Sequence, residues 1–171
     1  MPQVPWFERR FDFSFPAELY PNICVRLRGT PARLEEMLQA HPPGTLIRKE
    51  KGKWSAQEIA GHLLDLEPLW LSRVEDFLAN TTTLTVADLS NRKTHEAGHN
   101  HRKLAGILSD FRVQRSKLLD RVSVLSALSF EKTALHPRLK TPMRLADHLY
   151  FVAEHDDHHL AQIWTMLNGG R

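Results

Sequence analysis

The sequence contains almost no cysteine and no long uncharged apolar run, and both absences limit what the protein can be. Cys24 is the single cysteine among 171 residues, which excludes an internal disulfide and a CxxC redox centre. No window of about 18 uncharged apolar residues occurs, so we expect no transmembrane helix and no membrane partner. The first 15 residues contain Pro, Glu and Asp where a signal peptide needs an apolar core, which predicts a cytoplasmic protein.

The composition is that of an ordinary globular protein without a strong charge bias. Hydrophobic residues make up 42% and charged residues 25% of the chain, and the formal net charge is +3. The length fits one domain, which we place over residues 1–171 with 1–15 as an N-terminal extension. The one dense basic cluster, IRKEKGK at 47–53, is typical of a solvated loop. We therefore expect no nucleic-acid partner.

Helical periodicity dominates the chain, and its clearest helix begins at Ser55. Glu58, three residues later, completes a capping box, and an apolar stripe then continues to Phe77 with a kink expected at Pro68. An earlier segment keeps one helical phase across Pro31 and is predicted as one kinked helix.

Two further helical segments follow a long connection over residues 80–100. The third covers roughly 101–127, where Arg115 interrupts the apolar stripe. The last is predicted to begin with Thr141 as N-cap and Pro142 as first helical residue. Four such helices predict an all-α four-helix bundle with a long connection between its second and third helices.

The stretch His95-Glu96-Ala97-Gly98-His99 matches the zinc-protease pattern H-E-x-x-H. Its flanks, SNRKT and NHRKL, lack the apolar residues that bury a zincin helix, and Gly98 weakens any helix here. We therefore reject a protease. Two readings of this connection remain: a solvated loop with chance histidines, or a loop that brings His95 or His99 over the open end of the bundle.

A second group of histidines has spacing suited to a metal site. His155 and His159 are four residues apart, about 40° around a helix, so both can reach one ion. His148 is about 10 Å away along the axis, and His158 points to the other flank. A catalytic ion needs a third ligand, and His62, beside the stripe of the second helix, is the best candidate.

Three stretches carry a resemblance to a known family. WSAQEIAGHLLDLEPLW at 54–70, HPRLKTPMRLADHLYFVAEHDDHHLAQI at 136–163 and RLRGTPARLEEML at 26–38 resemble the DinB-like superfamily of four-helix bundles, specifically its second large branch. In that superfamily one histidine of the second helix and two of the last bind a divalent metal. The resemblance thus implies a metal site at His62, His155 and His159.

Imidazole ligands favour zinc first, with nickel, iron or manganese as alternatives. The resemblance implies a metal-dependent enzyme acting on a small-molecule substrate, either a thiol-dependent S-transferase or a hydrolase. The first would use a low-molecular-weight thiol ionised by the metal, and the second a metal-bound hydroxide. A non-enzymatic metal-binding or stress-response module is a third hypothesis. A homodimer is expected from the resemblance and from the frequency of two-fold assemblies.

Polar residues near the proposed ion are candidates for supporting roles, although no catalytic residue is assigned. Asp65 and Asp156 are possible acceptors for a ligand imidazole, or carboxylates that hold helices together. Arg115 either binds an anionic substrate or, as we favour, pairs with one of those carboxylates. Gln162, three residues after His159, is placed to reach the site or the backbone.

Overall fold

Four long helices form the bundle in the computed structural model, which describes residues 3–50 and 52–169. The helices are α1 (Tyr20–Gln39), α2 (Pro43–Leu46), α3 (Ala56–Leu78), α4 (Arg92–Glu96), α5 (Leu104–Ser123) and α6 (Leu145–Asn168), and two strands are β1 (Thr133–His136) and β2 (Thr141–Arg144). The four-helix bundle expected from the sequence is confirmed, and α1, α3, α5 and α6 are its members. No helix in the described part of the chain is long and apolar enough to cross a membrane.

Two of the helices, α1 and α3, form as their local sequence patterns predict. The Oγ of Ser55 accepts the backbone N–H of Glu58 at 3.1 Å, and the Glu58 carboxylate accepts the N–H of Ser55 at 2.9 Å, which completes the predicted capping box. The first segment is one helix, with Pro31 in its interior. Pro68 likewise lies inside α3 without ending it.

The predicted start of the last helix is wrong by three residues. Thr141 and Pro142 belong to β2, which pairs antiparallel with β1, and α6 begins only at Leu145. Backbone pairing in this hairpin outweighs the preference of proline for a first helical turn, and Met143 is fully buried as a result. Asp147 caps the helix instead by accepting the backbone N–H of Arg144 at 2.8 Å. The third segment is also shorter than predicted, since α5 spans Leu104–Ser123.

The order of helices around the bundle differs from their order in the chain. Helix α1 packs mainly on α5 and α6, and α3 packs on the same two helices, so α1 and α3 lie diagonally opposite. This arrangement makes α3 and α6 neighbours along their length. Residues on the facing sides of these two helices can therefore form one site.

The interior contains two apolar clusters separated by a polar layer. One cluster contains Leu27, Val74 and Leu149, and the other contains Leu38, Ile59 and Ile163. Between them lies a group of four hydrogen-bonded buried polar residues, one from each bundle helix: Thr30, Glu67, Arg115 and Asp156. The layer lies in the middle of the bundle, at the level where the histidines of α3 and α6 face each other.

His148 supplies a pH-dependent contribution to stability from within the apolar core. Its ring is fully buried, and its Nε2 donates to the carbonyl of Trp70 at 3.3 Å. Burial, followed by the nearby cation Arg73, lowers the pKa of His148 to about 3, whereas an unfolded histidine has a pKa near 6.5. The unfolded chain therefore binds the proton first. The contribution of His148 to stability is complete above about pH 6.5 and is lost as the pH falls toward 3.

We expect this histidine alone to lower the free energy of unfolding by about 1 kcal/mol between pH 7.5 and 5.5. Urea unfolding of chelator-treated protein at the two pH values measures the difference. His148→Phe should reduce the difference by that amount, whereas His101→Gln, on an exposed ring, should leave it unchanged. An unchanged difference in His148→Phe would contradict the assignment.

Candidate metal centre

Three histidines from two helices converge at one point in the bundle. His62 on α3 and His155 and His159 on α6 are buried, and one nitrogen from each lies within 4.8 Å of the others. The Nε2 atoms of His155 and His159 are 3.2 Å apart. Two nitrogens bound to one tetrahedral zinc ion at about 2.0–2.1 Å are about 3.3 Å apart. The spacing therefore fits ligands of a shared ion.

Hydrogen bonds fix which nitrogen of two rings is free. Nδ1 of His159 lies 2.8 Å from Oε1 of Gln162, an acceptor, so Nδ1 carries the proton. Thr94 Oγ1 donates to Oδ2 of Asp65 at 3.0 Å, which leaves its oxygen to accept from Nδ1 of His62 at 3.2 Å. In both rings Nε2 keeps its lone pair. Outer partners that fix the tautomer in this way are usual for metal-binding histidines.

The three imidazoles are neutral, as metal ligands must be. Burial lowers the pKa of His62 to about 4, opposed by the charge of Asp65 and assisted by the nearby His99 and His95. Burial also lowers the pKa values of His155 and His159 well below their ordinary value. Nδ1 of His155 is buried without a partner in the described residues. The donor set therefore fits a divalent ion.

The connection after α3 lies against the site without adding a ligand. His99 is buried, and its Nε2 donates to Oδ2 of Asp65 at 2.8 Å. Its ring lies directly on Gly61, where a Cβ atom would come within 2.2 Å of the His99 ring. His95 is exposed, with its ring 5.4 Å from that of Trp54. Of the two hypotheses for this connection, the one that brings His95 or His99 to the open end of the bundle finds neither histidine in the cluster, and the contact with His62 is made by Thr94 instead.

Replacing Thr94 with valine is expected to weaken metal binding by about 10- to 100-fold, since His62 loses the acceptor that orients its ring. Valine keeps the shape of the side chain, so the change in packing is small. Competition with a chromogenic chelator measures the affinity. Thr94→Ser keeps the hydroxyl and should bind metal as the wild type does; equal loss in both variants would show that the hydroxyl is not the cause.

Arg115 is paired within the protein and does not face a substrate. It contacts Asp156, with Nη1 2.6 Å from Oδ2, and Glu67, with Nη2 2.7 Å from Oε1. Asp156 also accepts from Thr30 Oγ1 at 2.8 Å. Asp156 therefore bonds to Arg115 and Thr30, and Asp65 reaches His62 only through Thr94. No sequence pattern identified Glu67 as a partner of Arg115. Glu67 lies on the buried face of α3 beside Pro68.

A cavity of about 420 Å³ opens beside the three histidines. Residues of the N-terminal extension form part of its wall, and the ring of Trp6 lies 5.0 Å from that of His155. The volume is in the range of small-molecule sites. The remaining lining is mostly apolar and includes Phe7, Trp54, Leu66, Leu69, Trp70 and Phe151.

Several residues of the site carried no recognisable sequence signal. Thr94 lies in a polar connection with many possible hydroxyl groups, and only the fold shows which one reaches His62. Arg73 interrupts the apolar face of α3 near the end of that helix, as Arg115 does in α5. This interruption was the one sequence feature that pointed to Arg73. Arg138 lies in the hairpin turn between β1 and β2, a hairpin that the all-helical reading did not contain.

Comparison with known proteins agrees with the fold. Residues 26–163 match the model of the DinB superfamily. The structure is similar to YfiT from Bacillus subtilis, described as a probable metal-dependent hydrolase with an unusual four-helix bundle topology, with a TM-score of 0.79 and 20% identity over 93% of this chain and 91% of that one. No curated protein sequence matches. The chain belongs to the DinB superfamily.

Proposed function

We propose that this protein is a metal-dependent enzyme whose ion is bound by His62, His155 and His159, and that it transfers a low-molecular-weight thiol to an electrophilic small molecule. The observation that carries the proposal is the convergence of three buried, neutral imidazoles within 4.8 Å at the wall of a cavity. A divalent ion, with zinc as the first candidate, would supply a positive charge that lowers the pKa of a thiol or water in contact with it.

The protein's own residues would position this chemistry. Gln162 and Thr94 hold the rings of His159 and His62 in the tautomers that leave Nε2 free. Trp6 and Trp70 stand against His155, with ring centroids 5.0 and 5.5 Å away, and cover the site with apolar surface. Exclusion of water strengthens electrostatic interactions between the protein and a charged reactant.

The lining of the cavity favours thiol transfer over hydrolysis. Hydrolysis at a metal centre commonly uses a carboxylate as general base, as the glutamate of H-E-x-x-H does. Asp88 is the single carboxylate among the described lining residues, and it is exposed. Its oxygens already accept from the backbone N–H groups of Ser90 at 2.9 Å and Arg92 at 3.0 Å. A thiol that is ionised on binding needs no such base.

Hydrolysis is the second candidate because YfiT, with the same fold, is described as a probable metal-dependent hydrolase. In this chain His158 is the lining residue best placed to move a proton. Its Nδ1 accepts from Nε2 of Gln3 at 3.0 Å, and its ring centroid lies 5.4 Å from that of His159. A His158→Gln variant would lose hydrolytic turnover and keep thiol transfer if both activities were present.

The experiment supplies metal-loaded protein with a thiol and the model electrophile 1-chloro-2,4-dinitrobenzene. The sulfur forms a bond to the ring carbon, chloride leaves with the bonding electron pair, and the thiol proton passes to the buffer. We expect turnover that needs both metal and thiol and disappears in His155→Ala. Turnover of ester substrates that ignores added thiol would instead support hydrolysis, and stoichiometric metal without either activity would support a non-enzymatic module.

A further inference from the structure

Two arginines line the cavity without a carboxylate partner. Arg73, on α3, is 2% exposed, and Arg138, in the turn after β1, is half-buried. Within residues 3–50 and 52–169 neither forms a salt bridge, whereas the buried Arg115 has two carboxylates. The guanidinium of Arg73 lies 5.6 Å from the ring centroid of Trp70, and that of Arg138 lies 5.2 Å from that of Phe7. A buried cation without an anion is costly, so its retention requires an explanation.

The carboxylates nearest in the chain are engaged elsewhere. Asp76, one turn after Arg73, accepts the backbone N–H of Thr85 at 2.6 Å. Arg73 donates from Nε to the carbonyl of that same Thr85 at 2.9 Å. Burial lowers the pKa of Arg73 to about 10, opposed by the charge of Asp76 and assisted by that of Arg138. Among the described residues, this cation thus receives one backbone oxygen and has no negative charge in direct contact.

Hydrogen-bond donors outnumber acceptors in this part of the cavity. Nδ1 of His136 accepts the backbone N–H groups of Arg138 at 3.2 Å and Leu139 at 3.1 Å, so its proton is on Nε2. That Nε2 lies 3.2 Å from Nη1 of Arg73, and two donors therefore face each other. Nη2 of Arg138 and Nε1 of Trp70 are also buried without a partner in the described chain. This part of the cavity therefore lacks a hydrogen-bond acceptor for these donors.

This donor group lies at a distance from the metal ligands within the same cavity. Arg73 follows His62 by eleven residues on α3, a rise of about 16 Å along the axis. Apolar rings fill the interval, since Trp70 contacts His155 on one side and Arg73 on the other. Phe151 similarly has its ring 5.0 Å from that of His136. A ligand of the whole cavity would have an apolar body between its two ends.

We propose that Arg73, Arg138 and His136 form an oxyanion-binding subsite, which takes the carboxylate or phosphate of a small molecule with an apolar body. The guanidinium fork matches both anions, and each supplies the acceptors that the donor group lacks. The subsite defines the substrate class of the proposed enzyme, and its link to turnover rests on that proposed function. Its binding chemistry is independent of the metal.

Calorimetric titration of the full-length protein tests the subsite, with and without a chelator so that binding to the metal is separated from binding to the arginines. The probes are 4-phenylbutanoate, 3-phenylpropyl phosphate and the neutral 4-phenylbutanamide. We expect at least one anion to bind about tenfold or more tightly than the amide, also in chelator, because bonds to charged groups are the stronger ones. The anion that binds more tightly identifies the group taken.

Arg138→Gln should abolish the preference for the anion over the amide. Arg138 makes no hydrogen bond from its side chain to the described protein, so its loss should leave folding intact, and thermal unfolding checks this. Arg73→Gln serves as a second variant, and Arg112→Gln, an exposed change on α5, should behave as the wild type. Equal affinity for anion and amide, or a preference that survives in Arg138→Gln, would overturn the subsite. Anion binding in chelator with no catalytic turnover would refute only the proposed enzyme.

Discussion

Replacing Arg115 with methionine is expected to lower the free energy of unfolding by about 3–5 kcal/mol, because the change leaves Glu67 and Asp156 buried without their cation. Burial already raises the pKa of Glu67 to about 6, against the opposing effect of Arg115. Without the arginine this carboxyl should be protonated at neutral pH. Urea unfolding at pH 7.5 measures the loss of stability.

Arg112→Met on the same helix is the matched control. Arg112 is exposed and pairs with Glu35, with Nη2 2.6 Å from Oε2, and exposed pairs contribute at most about 1 kcal/mol. Glu67→Gln in the Arg115→Met background should recover part of the stability, because glutamine removes the cost of protonating a buried carboxyl that is ionised in the unfolded chain at pH 7.5. Equal stability of Arg115→Met and Arg112→Met would show that the polar layer does not hold the bundle together.

Replacing His155 with alanine is expected to reduce affinity for the divalent ion by more than about 100-fold, which exceeds the usual effect of removing an outer partner. His155 is one of only three nitrogen donors, and within the described chain no other histidine, cysteine or carboxylate joins the cluster. Elemental analysis of untagged protein measures the bound metal. The wild type should contain one ion per chain and the variant almost none.

His158→Ala is the matched control because His158 lies between the two ligands on α6 and outside the cluster. It should retain one ion per chain. The wild type should also be stabilised by added metal in thermal unfolding, since an ion that binds only the folded state shifts the equilibrium toward it. Metal that remains stoichiometric in both His155→Ala and His62→Ala would refute the assigned ligands.

The sequence was sufficient to predict the bundle because its strongest signals are local. The capping box of Ser55 and the apolar periodicity of α3 depend on residues within a few turns of one another. The start of α6 depends instead on pairing between residues 133–136 and 141–144, which is set by tertiary contacts. Thr141 and Pro142 satisfy the local preference for a helix start, and the hairpin nevertheless prevails.

The candidate site divides in the same way. His155 and His159 are brought together by spacing within one helix, and His62 follows from its position beside the apolar stripe of another helix, supported by the family resemblance. Thr94 and Arg138 reach the cavity from connections whose paths no periodicity describes. The pairing of Arg115 with Asp156 could be expected from a charge on a buried stripe, but Glu67 as its second partner could be identified only from the packing of α3 against α5.

X-ray absorption spectroscopy of the metal-loaded protein tests the central claim most directly, because it reports the atoms that surround the ion. We predict a shell that contains three imidazole nitrogens at about 2.0–2.1 Å if the ion is zinc, with outer-ring scattering typical of histidine. In His62→Ala loaded with excess metal, one of the imidazole contributions should be lost. A shell of oxygen atoms with no imidazole scattering, or an unchanged spectrum in His62→Ala, would contradict a metal centre built from His62, His155 and His159.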